Sequence, residues 1–195
     1  MTAIEAFREM TVIAENHMYC LRILQSSDRE NYLKTMRESV EIPELFEMEF
    51  YEDAAWKIAM NSEDALTIPI ERTCDREYLG QFLLKQPDAH TIEVGLDLRE
   101  KNRSRGIGTE VMRLLLTKLR EQNTEDMVIA RAYSDNVRSI RLIQKVGGVK
   151  IREEPSEYEA AKAIMHQISE EAGIEMPEGD ADMSNRHILV YRLPC

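Results

Sequence analysis

The stretch RSRGIGT, Arg103-Ser104-Arg105-Gly106-Ile107-Gly108-Thr109, separates two patterns of different period. Before it, Ile92, Val94, Leu96 and Leu98 alternate with Glu93, Gly95 and Asp97, so a strand there turns one apolar and one polar face outward. After it, Val111, Leu115 and Leu119, with Met112 and Leu116 beside them, share one side of a helix running from about Gly108 to Glu121. A glycine-rich turn between a strand and a helix is a ready anion cradle. Two glycines two apart remove Cβ atoms and allow left-handed torsions that turn successive N–H groups inward, and the helix start adds free N–H groups and a partial positive charge. Such a loop suits a diphosphate, with Arg103 and Arg105 adding fixed charge and Thr109 a hydroxyl donor. It is not a P-loop, since no Lys-Ser or Lys-Thr follows the second glycine, and the third glycine of the dinucleotide fingerprint is replaced by Val111. A plain turn with solvated arginines is the competing reading.

Upstream of the loop, LTIPIERT (66–73), EYLGQFLLKQ (77–86) and HTIEVGLDL (90–98) predict three antiparallel strands, with Pro69 marking the first as an edge strand or a bulge. Further upstream, residues 2–16 predict a weak amphipathic helix through Ile4, Phe7, Met10 or Thr11, and Ala14. HMYCLRIL (17–24) reads as a strand, and Ser26-Ser27-Asp28 offers caps for a helix over DRENYLKTMRES. A second helix starts at Pro43.

Downstream, MVIARAY (127–133) predicts a buried strand, and Asp135 or Asn136 caps a helix carrying Ile140, Ile143 and Val146 that ends at Gly147-Gly148. VKIREE (149–154) predicts a strand, residues 156–173 a helix, 176–185 a mobile polar loop, and HILVYRL (187–193) the final strand. The expected organisation is a single α/β domain over residues 1–195 with a mixed sheet: a helix at 1–16, a core at 17–154, an inserted helix and loop at 156–186, and a last strand at 187–193.

Composition narrows the function. Of 195 residues 43% are apolar and 31% charged, enough for one substantial core. No run of 18 apolar residues is present, and Glu5, Arg8, Glu9 and Glu15 interrupt the stretch where a signal peptide would need to be apolar, so the expectation is a cytoplasmic protein without a membrane partner. Cys20, Cys74 and Cys195 have neither disulfide-framework nor zinc spacing, and His17, His90, His166 and His187 show no metal spacing, so no metal is expected. The net charge of −11 hides a partition. Residues 95–120 carry seven bases against three acids and residues 131–152 six against one, leaving the remainder strongly acidic. An anion would be held near the basic stretches, and nucleic acid is disfavoured by the rest.

The loop Arg103 to Gly108, between its strand and helix, resembles the signature of the GNAT acetyltransferases: Arg or Gln, two residues, Gly, one residue, Gly or Ala. ARAYSDNVRSIRLIQKVGGVKI is similar to a second stretch of that family, with Asn136, Ser139 and Gly147-Gly148 in the matching places, and the resemblance covers about residues 66–154. It implies an acetyl-CoA cosubstrate and a mostly antiparallel sheet, flanked by helices, that splays between IEVGLDL and MVIARAY. The diphosphate would lie on the loop from Leu98 through Arg103, Ser104, Arg105, Gly106, Gly108 and Thr109, and pantetheine against Asn136 and Ser139. Asn136 is equally a helix cap by its position. The activity implied is N-acetylation of an amine, with Glu93 the first candidate base and Asp97 the second; His90 is a remote one. The oxyanion donor would be a backbone N–H near Leu96 to Leu98. The tyrosine that many members carry before the glycine-rich helix end is replaced here by Leu142, Ile143, Gln144 and Lys145, which leaves Tyr133 or solvent as the acid, or a non-catalytic acyl-CoA-binding module as the alternative. The Glu-rich segment Glu41 to Asp53 suggests a cationic amine acceptor, and the protein is expected to act as a monomer or homodimer.

Overall fold

The computed structural model describes residues 2–40, 49–122, 126–155 and 186–195. Eight strands form one sheet in the order β1-β2-β3-β4-β5-β6-β8-β7: β1 Val12–Glu15, β2 Tyr19–Arg22, β3 Ala65–Arg72, β4 Tyr78–Asp88, β5 Thr91–Leu98, β6 Met127–Tyr133, β7 Val149–Pro155 and β8 His187–Arg192. Every neighbouring pair is antiparallel except β5 with β6. The described helices are α1 Ala3–Arg8, α2 Arg29–Ser39, α3 Glu49–Asn61, α4 Ile107–Glu121 and α5 Val137–Lys145. None of the described helices is long and apolar enough to cross a membrane. The helix expected over 156–173 and the polar loop after it lie outside the described residues.

The sheet divides the helices by face. Ile92 and Val94 of β5 join Phe7 of α1, Ile143 of α5 and the apolar side of α4 in the main core. On α4, Val111, Met112, Leu115, Leu116 and Leu119 are all buried, and each contributes about 1.5–3 kcal/mol relative to an exposed side chain. The opposite face of β4 and β5 is covered by α2, which packs on α3 through the Tyr32 and Trp56 rings with centroids 5.5 Å apart. Arg22 crosses this layer, binding Asp28 through two bonds of 2.7 Å and Glu71 at 2.5 Å.

One expectation is corrected and a second is narrowed. The helix predicted over 2–16 stops at Arg8: Thr2 and Glu5 form a reciprocal capping box at its start, but the β-branched run Thr11-Val12-Ile13 leads into β1. Asn16 closes the hairpin to β2 by accepting from the N–H groups of Met18 and Tyr19, both at 2.8 Å. Of the two alternatives for Pro69 the edge strand fails, since β3 lies between β2 and β4, and the bulge is the one found, one residue on. The ladder with β2 ends at Ile70, next to Pro69, and the register shift against β4 falls between Ile70 and Glu71, so no β2 partner meets the missing N–H.

Candidate active site

The ladder between β5 and β6 contains three pairs, Thr91 with Met127, Ile92 with Val128 and Glu93 with Ile129, and none beyond. From there to Leu98 and Tyr133 the two strands diverge while each keeps its other neighbour, opening a cleft at the centre of the sheet. Which backbone groups line it follows from strand alternation. The carbonyl of His90 accepts from the Met127 N–H, so even-numbered residues of β5 point toward β6; the Arg99 N–H points the other way, to Leu79. The Val94 N–H thus closes the last rung on the Ile129 carbonyl, and the N–H groups of Leu96 and Leu98 face the cleft.

At the mouth of the cleft stands the glycine loop. Ser104 has φ 59° and Gly106 φ 83°, two left-handed residues around Arg105, and Gly106 is the N-cap of α4. Among the described residues, the N–H groups of residues 104–108 meet no protein acceptor. The two outer positions of the predicted cradle are engaged instead: the Arg103 N–H donates to Glu100 and the Thr109 N–H to Gly106, and Thr109 is buried. The Arg103 guanidinium is also turned inward, onto the carbonyls of Leu98 (2.9 Å) and Glu38 (2.6 Å). Gly108 serves packing, since a Cβ there would lie 2.5 Å from Leu142 Cδ1 on α5. Asn136 caps α5 by accepting from the Ser139 N–H at 3.1 Å, which leaves its amide nitrogen as the end able to reach a ligand.

The basic stretches are partly neutralised by acids the sequence pattern did not pair with them. Arg99 binds Glu38, Lys101 Glu77, Arg131 and Arg152 Glu154, and Lys150 Glu153. Among the described residues, Arg105 on the loop and Arg138, Arg141 and Lys145 on α5 form no salt bridge, and all four are exposed. Spacing puts Arg138, Arg141 and Lys145 on one side of α5, whose Leu142 touches the loop side of α4.

Glu93, Arg131 and Tyr133 share the face of the sheet opposite the main core. Glu93 Oε2 lies 3.9 Å from Arg131 Nη1, at the last β5–β6 pair, where the cleft begins. Beside it is a cavity of about 360 Å³ lined by Asp88, Glu93, Arg131, Arg152 and Glu154 among others. The Tyr133 ring is half-buried under the Arg186 guanidinium, 4.1 Å from its centroid. Asp97 sits on the same face but beneath α2. Burial pushes its carboxyl up against the opposing Ser39 hydroxyl and Arg103 charge, and its own charge helps burial push the Tyr32 hydroxyl up to about 12. His90 ends the turn before β5 and its backbone N–H donates to Asp88 Oδ1. In the Glu-rich segment, 41–48 lies outside the described residues, while Glu52 and Asp53 are paired with Arg37 and Arg29. Glu38, Ser39 and Arg131 were not legible as site residues, because no spacing rule connects residue 38 to residues 99–103.

A family model described as an acetyltransferase (GNAT) domain matches residues 18–149, more than half of the chain. A GNAT-family acetyltransferase from Bacillus anthracis is similar in structure with a TM-score of 0.65 and 16% identity, over 94% of this chain and 98% of that one. The Microcin C7 self-immunity acetyltransferase MccE, solved with acetyl-CoA and AMP, gives 0.65 at 15% identity over 91% and 92%. A chimera of the spermidine N-acetyltransferase SpeG from Vibrio cholerae and hSSAT gives 0.65 at 11% identity over 90% and 95%. No curated protein matches the chain. At such identities the likeness to the solved structures is one of fold.

Proposed function

The chain belongs to the GNAT acetyltransferases, and from that premise we propose that it transfers the acetyl group of acetyl-CoA directly to a primary amine of a small molecule or peptide. The observation that carries this reading is the cleft between β5 and β6 with a loop of unengaged N–H groups at its mouth. A diphosphate on residues 104–108 would be met by up to five N–H donors and the start of α4, with Arg105, Arg138, Arg141 and Lys145 nearby as countercharge. Pantetheine would then run back along β5 toward Glu93, taking the place of the missing strand.

The thioester carbonyl needs three things. Its oxygen, which gains charge as the amine nitrogen bonds to carbon, would take the Leu96 N–H or that of a neighbour facing the cleft. The attacking nitrogen must lose a proton, which Glu93 would accept directly or through one water. Asp97 is less suited: four residues at about 3.3 Å each carry it about 13 Å from Glu93 toward the phosphate loop. As the C–S bond breaks, the thiolate takes a proton from the Tyr133 hydroxyl or from water. An acceptor of cationic character is supported by Asp88, Glu93 and Glu154, which outnumber Arg131 and Arg152 around the cavity.

One observation favours a second reading, a non-catalytic acyl-CoA-binding module. The α5 positions where a tyrosine acid would stand are Leu142, packed toward Gly108, and buried Ile143. Calorimetry with acetyl-CoA followed by thiol release over a panel of polyamines, aminoglycosides and peptide N-termini separates the two. Binding with release supports the enzyme; binding with silence on every amine supports the module; no binding at millimolar acetyl-CoA defeats both.

A further inference from the structure

The phosphate loop holds a conformation that its own sequence does not enforce, since Ser104 is left-handed without being glycine. Something outside the loop must fix it, and the contacts converge on one residue of α2. Glu38 Oε1 accepts from Arg99 Nε at 3.1 Å and Oε2 from the Glu100 N–H at 2.5 Å, just after β5 ends. The Glu38 carbonyl, one of the acceptors left open at the end of α2, takes Arg103 Nη2 at 2.6 Å, and Ser39 Oγ lies 3.3 Å from the same nitrogen. Arg103 Nε closes the circuit on the Leu98 carbonyl at 2.9 Å. One helix turn thus grips the loop where it leaves β5 and again at the residue preceding Ser104.

The setting makes these bonds strong. Arg99 is 8% exposed and Glu38 22%, so the charges meet with little water between them. Burial opposes ionisation of Glu38, yet the Glu100 N–H and the Arg99 and Arg103 charges hold its carboxyl below the usual range.

We propose that Glu38 is the positioning residue of the coenzyme site: from α2, on the other face of the sheet, it holds the N–H groups of residues 104–108 in the array that receives the diphosphate. The proposal rests on the acetyl-CoA reading above. Because Glu38 acts on the loop and not on the reacting atoms, its loss weakens coenzyme binding in ground and transition state alike.

The test compares acetyl-CoA affinity by calorimetry, KM and kcat with an accepted amine, and melting temperature. Glu38→Gln keeps shape and removes charge and is expected to raise Kd and KM for acetyl-CoA about 5-fold; Glu38→Ala, which removes both acceptors, raises them about 30-fold, with kcat within about 2-fold of wild type. Arg103→Met, which removes the bonds to the Glu38 and Leu98 carbonyls that Glu38→Ala keeps, should raise Kd further in the Glu38→Ala background. Glu52→Gln on α3, which breaks the pair with Arg37 on α2 without touching the loop, controls for a general loosening of the helix and should leave Kd unchanged. A Glu38→Ala protein that melts lower but binds acetyl-CoA as tightly as wild type overturns the proposal alone. Wild type that binds no acetyl-CoA overturns the functional reading and this proposal with it.

Discussion

Gly106 offers the sharpest test of the loop, because its two possible roles separate in the structure. It stands at φ 83° and ψ −16° as the N-cap of α4, and a Cβ built on it meets no atom within 4 Å. Any penalty on substitution is therefore torsional and not steric. For Gly106→Ala the left-handed conformation costs about 1–2 kcal/mol, while asparagine, which visits that region more readily, should lose about half as much. With a urea dependence of about 2 kcal/mol per molar, the alanine variant should unfold about 0.5–1 M earlier, at unchanged slope. The matched control is Gly108→Ala, whose Cβ would lie 2.5 Å from Leu142 Cδ1 and 3.4 Å from Leu96 Cδ2, a collision that disturbs the contact of α4 with α5. Urea unfolding of all three variants, with calorimetry for acetyl-CoA, decides the matter. If alanine and asparagine at 106 destabilise equally, the torsional argument is wrong. If Gly106→Ala loses stability yet binds acetyl-CoA with unchanged affinity, the diphosphate does not sit on these N–H groups.

Three further outcomes are expected. Arg22→Met leaves the buried Asp28 without its cation and Glu71 with only Arg76 at 3.6 Å, and should lower unfolding free energy by about 3–5 kcal/mol; a urea midpoint near wild type would contradict the reading of Arg22 as the tie through this layer. The Asp97 carboxyl is raised by burial, so its folded protein binds the proton more tightly than the unfolded chain, and its contribution to stability is present below about pH 4 and lost as pH rises through the raised value; Asp97→Asn should gain on wild type between pH 4 and 7, and a pH-independent difference would show that the burial argument fails. Glu93→Gln should lower kcat by about 10²-fold or more with acetyl-CoA affinity kept, whereas full activity would remove Glu93 as the base.

What the sequence disclosed and what it withheld divide along a physical line. The meander β3 to β5, the polar and apolar faces of β5 and the loop-to-helix turn follow from period and from glycine, which are local properties. β1 was hidden because four residues satisfy helix and strand spacing alike, and only the hairpin closed by Asn16 decides between them. Pro69 left an edge strand and a bulge open, and only the three-dimensional pairing decides for the irregularity at Ile70 and Glu71, with the β2 ladder ending one residue away. Glu38 was invisible for a stronger reason: its partners are 61 to 65 residues distant, and no one-dimensional pattern encodes that contact.

The charge partition shows how the same distinction bears on the chemistry. A count of bases near the loop suggested a broad cationic field, but Arg99 and Lys101 are paired with the carboxylates of Glu38 and Glu77, and Arg131 and Arg152 with that of Glu154. A paired cation contributes little field at a distance, because the acid beside it cancels most of its potential over a Debye length of about 10 Å. Among the described residues of the two basic stretches, the exposed cations without an acid partner are Arg105, Arg113, Arg120 and those on the exposed side of α5, and of these Arg105 stands on the loop of unengaged N–H groups. On the reading proposed above, Arg99 and Arg103 would have a different task, to make rigid the frame on which those N–H groups stand. On the proposed reading, direct recognition would fall mainly to backbone, and backbone geometry tolerates wide change in side chains. That is the physical sense in which a chain sharing only 16% of its residues with a Bacillus anthracis acetyltransferase can keep the same cleft fold over 94% of its length.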